Sequence, residues 1–150
     1  MRPLFLFSFL FLFSSISLAA DGLILVKSSH DVKTTADRLE NALNNKGMTV
    51  FSRIDHAAGA DSVGIDLRPT ELVIFGNPKV GSPMMQCQQS IAIDLPQKAL
   101  IWQDEVGDVW LGYNDPVYLA QRHAIDSCAA QSLKKVAGAL ANFSKAATAP

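Results

Sequence analysis

Three histidines, two cysteines and a scatter of carboxylates are the residues of this chain that could do chemistry, and their spacing limits what they can do. His30, His56 and His123 lie far apart, and the one adjacent acid–base pair, Asp55-His56, sits on an extended stretch where neighbouring side chains point to opposite faces. That is no working dyad. Asp94 and Asp104 could act as general acid and base only if the fold brings them together. Neither a G-x-S-x-G elbow nor an H-E-x-x-H helix occurs, so no local motif supplies a nucleophile or a zinc site. Met84, Met85, Cys87, His123 and Cys128 are soft or borderline ligands that would suit copper, but the chain has no C-x-x-C and no histidine pair on one helical face. Methionines at such spacing ordinarily fill a core. No metal and no cofactor is expected.

Gly76 to Ser82 echoes a phosphate-binding loop, since a strand runs through two glycines into a helix with Lys79 between them. The Walker pattern fails, because the residue after Gly81 is Ser82 and not lysine, and Pro83 then deletes a backbone donor. A capped strand-to-helix turn is the reading, with Ser82 as cap and Pro83 at the first helical position.

These residues must be positioned by the elements around them. Leu23 to Val26 reads as a first strand, and Asp31 as the cap of a helix whose apolar stripe is Val32, Ala36, Leu39 and Leu43, stopped at Gly47. Met48 to Ile54 reads as a second strand, Ala57 to Gly64 as a loop or weak helical turn, and Glu71 to Phe75 as a third strand. The short helix after Ser82 places Met84, Cys87 and Ile91 on one face. Lys98 to Trp102 and Val109 to Tyr113 form a hairpin around an acidic turn containing Gly107, and Asp115-Pro116 starts another helix. A last helix begins near Asp126 or Ser127, carries Leu133, Val136, Leu140 and Phe143 on one stripe, and frays from Ala146 to Pro150. The predicted class is α+β: an antiparallel sheet with helices packed mainly on one face, a strand–helix–strand opening and a C-terminal helix.

Arg2, the apolar run Leu4 to Ile16 and Ser17-Leu18-Ala19 have the layout of a signal peptide cleaved after Ala19, and the run is shorter than the roughly 20 residues that span a bilayer. The expected product is Ala20 to Pro150, one domain with an ordered core of about 22–145, periplasmic or secreted. Removing Arg2 takes the formal charge from −1 to −2, and with acids and bases interspersed nothing resembles a nucleic-acid footprint. Export would place Cys87 and Cys128 in an oxidising compartment, where a single disulfide, two buried thiols and intermolecular pairing are all open. Asn142-Phe143-Ser144 matches a glycosylation sequon, but Phe143 lies on the apolar stripe, which favours chance occurrence.

From Phe75-Gly76-Asn77-Pro78-Lys79 to His123 the chain resembles a known family. Gly81-Ser82-Pro83-Met84-Met85-Gln86, Ile93-Asp94-Leu95-Pro96, Val109-Trp110-Leu111-Gly112-Tyr113-Asn114-Asp115-Pro116 and Leu119-Ala120-Gln121-Arg122-His123 are similar to the pattern of the bacterial DUF302 proteins, with Cys87 as a departure. The resemblance implies a compact α+β fold of the TATA-binding-protein-like type, frequent dimers and no established activity. Likeness to a DNA-binding saddle says nothing of DNA.

The expected function is a non-enzymatic periplasmic binding or interaction module. Its expected partners are a second copy of the chain, a small ligand or a periplasmic protein, with no nucleic acid and no membrane once the signal is removed. The alternatives are a small periplasmic hydrolase with a site near Lys79 and His123, and a copper-binding protein. The candidate ligand residues are Asn77, Lys79, Ser82, Tyr113, Asn114, Arg122 and His123, gathered where two proline-started helices follow strands. Against this, Asn77 and Asn114 could merely satisfy turn backbones, and Arg122 could pair with a nearby acid.

Overall fold

The computed structural model describes residues 21–150; the expected signal segment and its cleavage site before Ala20 lie outside the described residues. The order of elements is β1 (Leu23–Lys27), α1 (Val32–Asn45), β2 (Thr49–Asp55), α2 (His56–Asp61), β3 (Thr70–Gly76), α3 (Pro78–Cys87), a 3-10 helix (Gln89–Ile93), β4 (Gln97–Gln103), β5 (Val109–Asn114), α4 (Pro116–His123) and α5 (Ala130–Thr148). The five strands form one sheet in the order β1-β5-β4-β3-β2, every neighbour antiparallel. This is an α+β fold. The opening strand–helix–strand unit is present, but its two strands are the opposite edges of the sheet, so α1 crosses beneath the three strands between them.

Period-2 burial sets the core face of the sheet. Glu71, Val73 and Phe75 of β3, Ala99 and Ile101 of β4, and Val109, Leu111 and Tyr113 of β5 turn inward. Helix α1 begins because the Asp31 carboxylate accepts the Thr34 amide at 2.6 Å, and its stripe Val32, Ala36, Leu39 and Leu43 is buried against the sheet and α5. From α5, Val136, Leu140, Phe143 and Ala147 close the core, with the Phe143 ring edge-on to Phe75 at 6.4 Å between centroids.

On the opposite face Trp102 and Trp110 are directly paired across β4 and β5. Gly112 is required there: a Cβ would lie 2.9 Å from the Leu25 side chain and 3.0 Å from the Trp102 ring. The glycine of the Trp-Leu-Gly-Tyr run is thus where two large side chains close over backbone.

Four expectations change. Helix α3 starts at Pro78, not Pro83: Asn77 caps it by accepting the Lys79 amide at 2.9 Å, and Pro83 lies inside the helix. Asn77-Pro78 carries the same cap-and-proline chemistry as Ser82-Pro83 and comes first after the strand. Ile91 is not on this helix, because Gln88 is extended and the chain restarts as a 3-10 turn. The segment after Asp55, expected as a loop or weak helical turn, is a helical turn, as that second alternative had it, and is no change; Asp55 caps it on the Ala58 amide. Helix α5 begins at Ala130 without a side-chain cap, and its end does not fray, since Arg38 donates to the carbonyls of Ala146, Ala147 and Ala149 and the His30 ring bonds the Ala149 carbonyl.

Candidate functional site

Two arrangements lie at the same end of the sheet. The first is a cavity of about 420 Å³ between α3, α5 and the sheet end formed by β2, β3 and β4, within the size range of small-molecule sites. Its wall is apolar: Met48, Phe51, Phe75, Val80, Met84, Met85, Leu95, Ala139 and Leu140 face it, while Asn77, Ser82, Gln97 and Lys135 are the polar contributors. A bulge produces one side of it. Val50 pairs with Phe75 and Ser52 with Ile74, so Phe51 is the extra residue on β2, and it lines the cavity while remaining more than half exposed. Gly76 lets Phe51 and Pro96 approach, since a Cβ would meet them at 3.3 and 3.4 Å.

The second arrangement lies on the far side of α3. The 3-10 helix packs on both α3 and α4, and both of those pack on α5. His123, the last residue of α4 and only 8% exposed, has both ring nitrogens engaged. Its Nε2 lies 2.6 Å from Asp94 Oδ2, and its Nδ1 lies 3.1 Å from Ser90 Oγ. With the carboxylate ionised, Nε2 carries the hydrogen and Nδ1 accepts from the Ser90 hydroxyl. Ser90 is exposed. Asp94 also receives Arg122, at 3.4 Å from an exposed guanidinium, a weak contact. Beside this group Cys87 and Cys128 are joined, with Cα atoms 6.0 Å apart, tying the end of α3 to the lead-in of α5.

The candidate residues divide between these places. Asn77 and Ser82 line the cavity, and Asn77 is also the α3 cap, with its amide 3.4 Å from the Gly47 carbonyl. Lys79 is exposed on α3, and its ammonium group makes no hydrogen bond or ion pair among the described residues. Tyr113 is 5% exposed and belongs to the core. Asn114 ends β5 opposite Leu23. Arg122 and His123 belong to the second arrangement. The 3-10 helix packs between α3, which begins at the Asn77–Ser82 turn, and α4, which ends at His123.

Asp94 and Asp104 stay apart, before and after β4, roughly 20 Å at the rise of a strand. Asp104 instead organises the hairpin, accepting from the amides of Val106 and Asp108 and from the Trp110 indole at 2.8 Å. The Trp110 bond first, and the turn amides after it, hold this carboxyl below its ordinary value of 3.8. Asp55 and His56 are not paired: the acid caps α2, and the imidazole is exposed. Among the described residues no three of His, Cys, Asp and Glu come together to hold a metal, and of the possible copper ligands the two cysteines are bonded to each other and Met84 is in the core. Ser90 escaped the sequence reading because its partners lie 4 and 33 positions away with no local signature.

The pattern of the family described as domain of unknown function DUF302 matches residues 24–143, most of the chain, and the chain belongs to that family. It is similar to the crystal structure of the uncharacterized conserved protein DUF302 from Bacillus stearothermophilus, with a TM-score of 0.76 at 19% identity over 85% of this chain and 99% of that one. It is also 49% identical over 109 residues to a fluoride-specific ion channel, FluC 1, of Brucella suis biovar 1 (strain 1330), covering 73% of this chain and 43% of the relative. The same identity and length relate it to FluC 2 of Brucella melitensis biotype 1 (strain ATCC 23456 / CCUG 17765 / NCTC 10094 / 16M), there covering 40% of the relative. The chain spans less than half the length of the curated relatives it matches. Of the expected partner set, a second copy, a small ligand or a periplasmic protein with no membrane, these relatives correct the exclusion of a membrane. The relatives matched over those 109 residues are named as ion channels. Among the described residues no helix is long and apolar enough to cross one.

Proposed function

We propose that this member of the DUF302 family is an exported binding module whose cavity beneath α3 takes an amphiphile, its apolar body among Phe51, Met85, Leu95 and Ala139 and its polar end toward Lys135. The observation that carries the reading is the cavity itself: about 420 Å³ of mostly apolar wall with one cation and a few amide and hydroxyl groups among its lining residues, the composition expected of a site that gains affinity from burial and orientation from a few polar contacts. Burying apolar ligand surface there contributes on the order of 25 cal/mol per Å². Export and periplasmic residence belong to the proposal, and rest on the Arg2, Leu4–Ile16 and Ser17-Leu18-Ala19 layout.

Titration with dodecanoate, followed by displacement of a fluorescent naphthylamine, tests it. The expected result is saturable binding at one site per chain, weakened at least tenfold by Ala139→Trp, which fills the cavity, and several-fold by Lys135→Glu. Folded wild-type protein that binds neither probe would overturn the proposal.

The names of the Brucella relatives favour a second reading, in which the module works beside a fluoride-conducting membrane protein. Deleting the gene should then lower growth in fluoride; unchanged growth and unchanged cellular fluoride argue against it.

A further inference from the structure

We infer that Ser90, His123 and Asp94 form a nucleophilic relay able to take an acyl group from a carboxylic ester. Nucleophilic serine chemistry needs an accessible hydroxyl within reach of a base, and a third group fixing the base's tautomer and orientation. All three conditions are met by side chains from two separate elements. Ser90 is an exposed residue with its hydroxyl 3.1 Å from His123 Nδ1; His123 is 8% exposed; and Asp94, its side chain 13% exposed, holds Nε2 at 2.6 Å. Exposure thus falls from the residue that carries the nucleophile to the groups behind it, so the base is sheltered.

The local chain keeps this geometry. Cys87, three residues before Ser90, is bonded to Cys128, and Ile91, one residue after it, is 1% exposed in the core. The segment is anchored on both sides of the serine. Lys98 donates to the carbonyls of Asp94 and Pro96, each at 3.1 Å, which fixes the chain that carries the carboxylate.

In the reaction, Ser90 Oγ forms a bond to the ester carbonyl carbon while its proton passes to His123 Nδ1. The tetrahedral intermediate collapses by breaking the bond to the alcohol oxygen, which leaves with that proton. Water then attacks the acyl-serine, giving its proton to His123, and the acid departs as Ser90 recovers its hydrogen. Asp94 is a positioning residue: its carboxylate holds the ring by Nε2 and stabilises the imidazolium formed in each half. No co-reactant beyond water is needed. The relay is distinct from the cavity, whose lining does not include Ser90 or His123, so it stands or falls independently of amphiphile binding.

The test uses the full oxidised chain with a fluorophosphonate probe and p-nitrophenyl acetate. Wild type is expected to be labelled on the peptide containing Ser90 and to hydrolyse the ester, and Ser90→Ala, an exposed change that keeps the fold, should abolish both. Asp94→Asn should lower the maximal inactivation rate by roughly 10²-fold with little change in the probe's half-saturation, a split that mere loosening of the segment does not give. His123→Gln should behave likewise if circular dichroism shows it folded. Absence of labelling in folded wild type, or equal ester hydrolysis by wild type and Ser90→Ala, overturns the inference.

Discussion

Removing the Cys87–Cys128 bond should destabilise the protein by about 4 kcal/mol, a figure that follows from the length of chain it closes. The two residues are 41 positions apart, and in the chain-entropy description a loop of that length costs the unfolded ensemble about 13 cal/mol/K, or about 4 kcal/mol at room temperature. A domain of this size has a total stability of roughly 5–15 kcal/mol, so a large share would be lost while the native fold survives. Little native packing offsets the change, because Cys128 is exposed and Cys87 only half-buried. The assay is urea denaturation of wild type and of Cys87→Ser/Cys128→Ser, each with and without reductant. With a slope of about 2 kcal/mol per molar urea, the double variant should unfold at about 2 M less urea, and reductant should move wild type to the same midpoint. Unreduced wild type, denatured, should offer no free thiol. Two titratable thiols would refute the bond, and a midpoint shift under about 0.3 M would refute the loop-entropy reasoning.

Two further predictions concern charged groups. Arg53 joins β2 to α1 and β3, bonding Asp37 at 2.6 Å and also Glu71, whose side chain is 12% exposed, and these partners hold its guanidinium well above its ordinary value, Glu71 contributing most. Arg53→Met should cost about 2 kcal/mol by leaving Glu71 uncompensated, and adding Glu71→Leu should recover most of it; chemical denaturation of both variants checks this, and a neutral single variant would contradict it. Asp104 has a depressed native value, so its stabilisation is fully present above its unfolded value of about 4 and is lost as pH falls through the lower native one. Thermal melting of wild type and Asp104→Asn should therefore differ most at neutral pH and converge below pH 4; parallel curves would show that the carboxylate does not organise the hairpin.

The elements that sequence made legible are those in which one local signal had no competitor. The Val32, Ala36, Leu39, Leu43 stripe behind Asp31, the Asp115-Pro116 start and the hairpin around Gly107 each combine a cap or turn residue with an apolar period. The start of α3 is ambiguous in sequence because two Asx/Ser-Pro pairs stand five residues apart and either could open a helix. The C-terminal end of α5 has no local signal because what holds it, Arg38 and His30, lies more than a hundred residues upstream. The placement of β1 and β2 on opposite edges is a property of pairing energies across the whole sheet, which no local pattern carries. The same holds for both candidate sites: the cavity depends on a bulge at Phe51 and on the gap between α3 and α5, and the relay on a serine whose partners come from beyond its own helix.

The two sites nevertheless share a cause. The sheet and the α1–α5 pair use nearly all of their inward side chains on one another, and the excursion from Asn77 to Pro96 is the part of the chain that leaves the sheet and returns to it without belonging to that layer. It is held at points: the Asn77 cap, Met84 and Ile91 in the core, the disulfide, and the Asp94–His123 bond. Between those points its residues are free to serve other ends. Toward α5 they leave an apolar space, lined by Val80, Met85, Ala92 and Leu95. Toward α4 they present Ser90 and Asp94 to a histidine. An element secured by side chains instead of a backbone ladder can carry different chemistry on its two sides without disturbing the sheet, which is why the functional readings of this protein converge on these twenty residues and not on the strands that define its fold.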